Sequence, residues 1–263
     1  MNKLIIAVCM VFILLGAPAW AVKVTTLYEV EMSVASQAAD ARADAIREGF
    51  RDVLIKLTGD QNIVRNKLIK ASLDKADYFV LEYSYSAPSV SAATYTLNIK
   101  YNEQDVKRLL RKVGASHWSA RRPLILVWLA TINDRNEVDI LGMETKGGTL
   151  EKFKRQGQRY GLPLIFPVMD VADMDKVSAE NITAVSLPEL KNASKRYEPD
   201  ALLIGTIEYN NDIYEGRWDL VWNDKVWTWS TTGETQEKVI ADELHNISQT
   251  LSGRSESKNN AAS

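Results

Sequence analysis

The chain has 263 residues with 32 basic and 34 acidic side chains, a formal charge of −2, and 46% of its residues are apolar. That balance lacks the concentrated basic surface that nucleic acid demands, while the apolar share is enough to fill two modest cores. The single cysteine, Cys9, lies in the first apolar run, so no disulfide, thiol enzyme or cysteine metal ligand is expected beyond it.

The chain opens with Lys3, an apolar run from Leu4 to Leu15, and small residues at Ala19 and Ala21. This is the pattern of a secretory signal peptide, with cleavage expected before Val22. The run is too short to span a bilayer, and no later segment approaches the roughly 20 apolar residues that a transmembrane helix needs. Removing residues 1–21 deletes only Lys3 and leaves 31 basic against 34 acidic groups. Val8 precedes Cys9 where a lipidated precursor requires a small residue, so a free periplasmic protein is expected.

Residues 24–34 are rich in β-branched and aromatic side chains and read as a strand. Ser36 is placed to cap a helix whose apolar positions Ala39, Ala43, Ile46, Phe50, Val53, Leu54 and Leu57 form one stripe, closed by Gly59. A weaker helix is expected over 63–75. The alternation of Tyr95, Leu97, Ile99 and Tyr101 makes a strand that pairs with 78–86 as a hairpin around the loop at 86–93. Asn102 caps a helix over 103–113, and Gly114 ends it. The segment 115–123 has no periodicity and marks a domain boundary.

Beyond it, LILVWLATI reads as a strand covered on both faces. A charged helix is expected over 149–160, and then a strand kept short by Pro167. A helix over 187–197, a buried strand over 200–209, a tryptophan-rich segment and a last helix over 234–251 complete the order, before a polar tail.

The segment RWDLVWNDKVWTW, 217–229, holds Trp218, Trp222, Trp227 and Trp229. Asn223-Asp224 suits a tight hairpin turn, which pairs Trp222 with Lys225, Leu220 with Trp227 and Trp218 with Trp229. All four indoles then share one face. Arg217, Asp219, Val221, Val226, Thr228 and Ser230 share the other, which is mostly wet. The economical expectation is that the indoles lie beneath helices, each worth a few kcal/mol on burial. An exposed aromatic platform for a glycan or peptide is the competing reading.

Candidates for chemistry are sparse. His117 and His245 have no partners at metal-ligand spacing, so no zinc site is expected. Asp170, Asp173 and Asp175 lack the glycine and glutamate of a calcium loop and read as a helix-start cluster. Gly147-Gly148 before a helix could offer amides to an anion but lacks the rest of a phosphate loop. Asp40, Asp44 and Glu48 alternate with Arg42, Arg47 and Arg51 along a solvated helix face. No cofactor is implied.

The stretch ADARADAIREGFRDVLIKLTGD followed by a hairpin, with RRPLILVWLA, YEPDALLIGTIEYNND and the tryptophan hairpin, resembles the proteobacterial family DUF2066 from Val24 to Leu251. That resemblance implies a periplasmic compartment and no catalytic residues. The second half is also similar to α/β accessory domains of the TolB amino-terminal and envelope-lipoprotein type, and the first half to POTRA modules. Both likenesses imply work by protein contact, although fold does not dictate function.

The sequence therefore predicts an α/β (α+β) protein of two small domains, 22–116 and 121–252, each a mixed or antiparallel sheet with helices packed on it. A signal peptide, 1–21, precedes them and a disordered tail, 253–263, follows. The expected function is a non-catalytic periplasmic adaptor or binding protein of the Gram-negative cell envelope. It contacts a protein partner through Arg217, Asp219 and Thr228 or through an open sheet edge. The alternatives are glycan or peptide binding on Trp218, Trp222, Trp227 and Trp229, and a carboxylate-dependent hydrolase.

Overall fold

The computed structural model describes residues 22–86, 94–145 and 147–253. The expected signal peptide, the loop over 87–93 and the tail from 254 onward lie outside the described residues. The fold is α/β, built on two main sheets and one small tie between them.

The first sheet has the antiparallel order β2-β4-β3, from strands β2 (Glu29–Val34), β3 (Val80–Ser86) and β4 (Tyr95–Tyr101). Helix α1 (Ala39–Thr58) lays its apolar stripe on one face of it. Phe50 stacks on Phe79 at 4.4 Å and on Tyr101 at 5.3 Å, and the Tyr101 hydroxyl donates to Ile46 O at 2.6 Å. Gly59 ends α1 in the left-handed region at φ 66°, where a side chain is disfavoured. The strand expected over 24–34 is broken by a turn in which Glu29 N donates to Thr26 O. Among the described residues only Val22–Lys23 (β1) precedes it, paired with Arg121–Arg122 (β5).

The helix expected over 63–75 splits at Asn66, whose extended backbone separates a 3-10 turn, Gln61–Arg65, from α2 (Lys67–Leu73). The Asn66 side chain accepts from Leu68 N and Ile69 N, so the residue that interrupts one helix starts the next. Asn102 caps α3 (Glu103–Lys112) in the same way, through Gln104 N and Asp105 N.

The second sheet runs β11-β10-β9-β6-β7, with β8 also on β6. Its strands are β6 (Ile125–Ile132), β7 (Val138–Ile140), β8 (Leu164–Ile165), β9 (Ala201–Asn210), β10 (Ile213–Trp222) and β11 (Lys225–Gly233). β6 is parallel to β9 and β8, while β9, β10 and β11 form an antiparallel meander. Asn211-Asp212 and Asn223-Asp224 all have positive φ, the primed-turn geometry that Asn and Asp tolerate. The first of these turns, and with it the early start of β10, did not stand out in the sequence.

This sheet is covered on both faces. Ile125, Val127, Leu129, Leu203, Trp218 and Leu220 face α4 (Gly148–Tyr160) and α8 (Gln236–Leu251). Leu126, Trp128, Ala130, Leu202 and Ile204 pack with Ile182 of α6 (Ala179–Thr183) and Leu190 of α7 (Leu187–Ser194), beyond α5 (Val171–Met174). Trp128 Nε1 donates to Ser194 Oγ at 2.9 Å there. Helix α1 also meets α4, and one apolar cluster runs without interruption from Phe50 and Leu97 to Trp218 and Leu244.

Trp218 is fully buried; its Nε1 donates to Thr231 Oγ1 at 2.8 Å and Phe153 meets it edge-on at 6.1 Å. The indole lies over Gly205, where a Cβ would stand 2.3 Å from Cε3. Gly205→Ala is therefore expected to overpack the core and cost about 1–3 kcal/mol, read as a lower urea midpoint with an unchanged slope.

Candidate functional site

The pairing of Trp218 with Trp229, Leu220 with Trp227 and Trp222 with Lys225 holds as the turn chemistry implies. Trp222, Trp227 and Trp229 are half-buried and pack against the core below, with Trp222 and Trp227 at 6.1 Å. On the opposite face Thr228 donates to Asp219 at 2.6 Å, and Arg217 sits 3.9 Å from Glu208. Val221, expected on a wet surface, is instead buried against the α6/α7 cluster, because helices cover that end of the sheet too. Arg217, Asp219 and Thr228 thus lie on the flat face of the β9-β10-β11 meander, engaged with neighbours on its own strands.

A concavity lies elsewhere. A groove of about 830 Å³ runs between the β2 side of the first sheet and the polar side of α4 with the start of α8. Its geometry follows from the backbone of β2. Tyr101 N donates to Tyr28 O at 2.9 Å, which makes 28, 30, 32 and 34 the residues hydrogen-bonded to β4. The backbone groups of Glu29, Glu31 and Ser33 then point outward, toward the groove. Lys56 Nζ takes the first of them: it donates to Glu29 O at 2.9 Å and Thr26 O at 3.2 Å. Glu31 and Ser33 are left as an open edge.

The facing wall is built by α4. Arg159 Nε donates to Asp52 at 2.8 Å, and Arg155 Nη2 reaches Glu237 at 2.7 Å. Gln156 Nε2 donates to the same Glu237 oxygen at 2.9 Å, while its own Oε1 is buried without a hydrogen-bond partner. The Arg155 bond holds the Glu237 carboxyl below its usual range, whereas burial pushes Asp52 up against the pull of Arg159. Burial lowers the Lys56 ammonium to about 8, with Asp52 opposing the shift. Across the sheet, Lys100 bridges Glu29 and Glu82 at 3.4 and 3.6 Å. The groove is therefore lined by mutually neutralised charges, open backbone amides and one buried amide acceptor.

The other sequence candidates stay dispersed. Asp170 caps α5 and is gripped by Arg196 at 2.7 and 2.8 Å, which depresses its carboxyl to about 2. Asp173 is buried and accepts from Met169 N and from the Tyr197 hydroxyl. Asp170 and Asp173 are spent at the start of α5, as the dipole argument expects, but Asp175 caps its other end. Gly147 precedes α4, where Gln236 takes bonds from Thr149 and Lys152. Glu48 pairs with Arg51 at 3.1 Å, and Arg42 sits over the Tyr83 ring. His117 is exposed in the segment before β5, and His245 lies beside Tyr160. Among the described residues no three His, Cys, Asp or Glu side chains gather as a metal site, and no helix is long and apolar enough to cross a membrane.

Sequence reasoning missed the groove residues altogether. Lys56 looks like one more polar position of α1, and Gln156 like one more of α4. The only available signal was that Lys56 falls at the end of an otherwise apolar quarter of the helix, between Ile55 and Leu57.

No curated protein matches the chain at a significant level. Among solved structures, the C-terminal domain of LpoB from Salmonella enterica aligns at 8% identity with a TM-score of 0.28, covering 49% of this chain and 92% of that one. A formyltetrahydrofolate deformylase from Pseudomonas putida KT2440 aligns at 6% identity with a TM-score of 0.17, over 75% and 90% of the two chains. Neither likeness is strong enough to bear on fold or activity. Residues 21–119 match a family described as Domain of unknown function (DUF8605). That match overturns the resemblance to DUF2066.

Proposed function

We propose that the chain is a non-catalytic binding protein of the bacterial cell envelope that works in the periplasm and takes an extended segment of a protein partner into the groove beside β2. The observation that carries this reading is the open β2 edge, where the amides and carbonyls of Glu31 and Ser33 face a walled polar channel. A partner strand added there satisfies those groups. The signal-like residues 1–21 support secretion. The paired state of Asp52, Glu29 and Glu237 favours binding over hydrolysis, since each carboxylate is already committed to a cation.

A photo-crosslinking residue placed at Ser33 in cells tests the proposal. A discrete protein adduct at Ser33, absent when the same residue is placed at Lys195 on the far side, is the expected result. Adducts at neither position, or equally at both, overturn it. Recovery of the chain in the periplasmic fraction with Val22 as its first residue tests the compartment.

A further inference from the structure

The edges of the two sheets are not alike. β7 has three residues and β8 two, and β3 carries a register irregularity between Val80 and Glu82. Short or bulged edges of this kind resist pairing with another chain. β11 has nine residues, no proline, no bulge, and a single charge at its first position, Lys225. The two-residue turn makes Trp222–Lys225 a hydrogen-bonded pair, so the backbone groups of Val226, Thr228, Ser230 and Thr232 point away from β10. Those four residues are exposed, Val226 at 48%, and among the described residues nothing pairs with that side of the strand.

We propose that β11 pairs antiparallel with β11 of a second copy of the chain, joining the two large sheets into one. This goes beyond the groove reading and does not depend on it. The strand is self-complementary in one register, with Trp229 on the two-fold axis. There Thr228 meets the partner's Ser230 and Val226 meets the partner's Thr232, outward residues against outward residues. Trp229 meets its own copy at a pair without mutual hydrogen bonds, where cross-strand side chains approach most closely and aromatic pairs gain most. Lys225 arrives beside the partner's Gly233 and the exposed Glu234 that follows it, which supplies opposite charge at each end of the interface. The arrangement also gives the half-buried rings of Trp227 and Trp229 the remainder of their cover.

Sedimentation of the purified chain from Val22 reads the outcome. A concentration-dependent dimer is expected, well populated by about 100 µM, in the range of modest interfaces. Thr228→Lys with Ser230→Lys places like charges directly opposite one another in this register, and is expected to raise the dissociation constant about tenfold or more. Thr228→Lys with Ser230→Glu places Lys against Glu and is expected to restore the dimer. A wild-type chain that stays monomeric overturns the proposal, as does a dimer indifferent to both double substitutions. Crosslinking at Ser33 reports on the groove separately.

Discussion

Replacing Glu243 with glutamine is expected to stabilise the protein strongly at pH 8–9 and hardly at all at pH 4.5. Glu243 lies on the buried side of α8 with no exposed surface, and neither carboxylate oxygen has a hydrogen-bond partner of good geometry. Burial raises its carboxyl from 4.5 to about 8; the nearby Asn246 amide offsets part of the shift and Asp219 adds to it. The folded chain therefore holds a proton that the unfolded chain releases above its ordinary value. Stability associated with this group is fully present below about pH 4.5, declines as pH rises, and is lost above about pH 8. Across that window the difference is on the order of 5 kcal/mol. Urea unfolding followed from pH 4.5 to 9 should show a falling stability for the wild type and a much flatter profile for Glu243→Gln. Equal slopes in the two proteins would mean that the carboxyl ionises without penalty, through water or a shifted side chain. Glu243→Met also removes the unpaired polar atoms and should be the more stable variant at every pH.

Arg122→Ala is expected to cost about 3–5 kcal/mol, mostly from the acceptors it abandons and the cavity it leaves. The side chain is fully buried and has no carboxylate in contact. Its Nη1 donates to Tyr160 O at 2.6 Å and Gly161 O at 2.8 Å, its Nη2 to Lys56 O at 2.6 Å, and its Nε to Ser119 O at 3.3 Å. The guanidinium also stacks 3.7 Å from the centre of the Trp118 ring. Lys56 lies in the last turn of α1, and Tyr160 and Gly161 close α4. One cation thus serves the carbonyl ends of two helices from opposite halves of the chain, where the helix dipoles are negative. Burial lowers Arg122 to about 9, and the carbonyls take the place of a counter-ion. Gly161 is required beside it: φ is +62°, and a Cβ would stand 2.6 Å from Nη1. Arg122→Lys should recover less than half of the loss, because an ammonium cannot span acceptors on both helices or stack as a plane. A melting temperature lowered by about 10 °C checks the alanine variant. An unchanged midpoint would show that water replaces the guanidinium at no cost.

Much of this architecture is legible in the amino-acid sequence. The α1 stripe from Ile46 to Leu57 and the alternation in β4 read correctly because a helix or strand repeats its burial at a fixed spacing, whereas Ala39 and Ala43 stay exposed at the start of the helix. The Asn223-Asp224 turn set the tryptophan register for a related reason: a two-residue loop leaves only one way to align its flanks. Weak segments went differently. Asn66 broke an expected helix by capping a new one, and Thr26 to Glu29 bent an expected strand.

The site was not legible, and Arg122 shows why. In ASHWSARRP it looked like linker composition, since the carbonyls that define its role come from residues 38 and 66 positions away. Lys56, Gln156 and Glu243 were ordinary polar letters on amphipathic helices until packing removed their water. Periodicity and turn chemistry act between near neighbours, so the sequence alone determined the long elements and the tryptophan pairing. Desolvation and edge exposure act between segments distant along the chain. Only the tertiary structure could decide which polar groups lose solvent and which strand edges stay open.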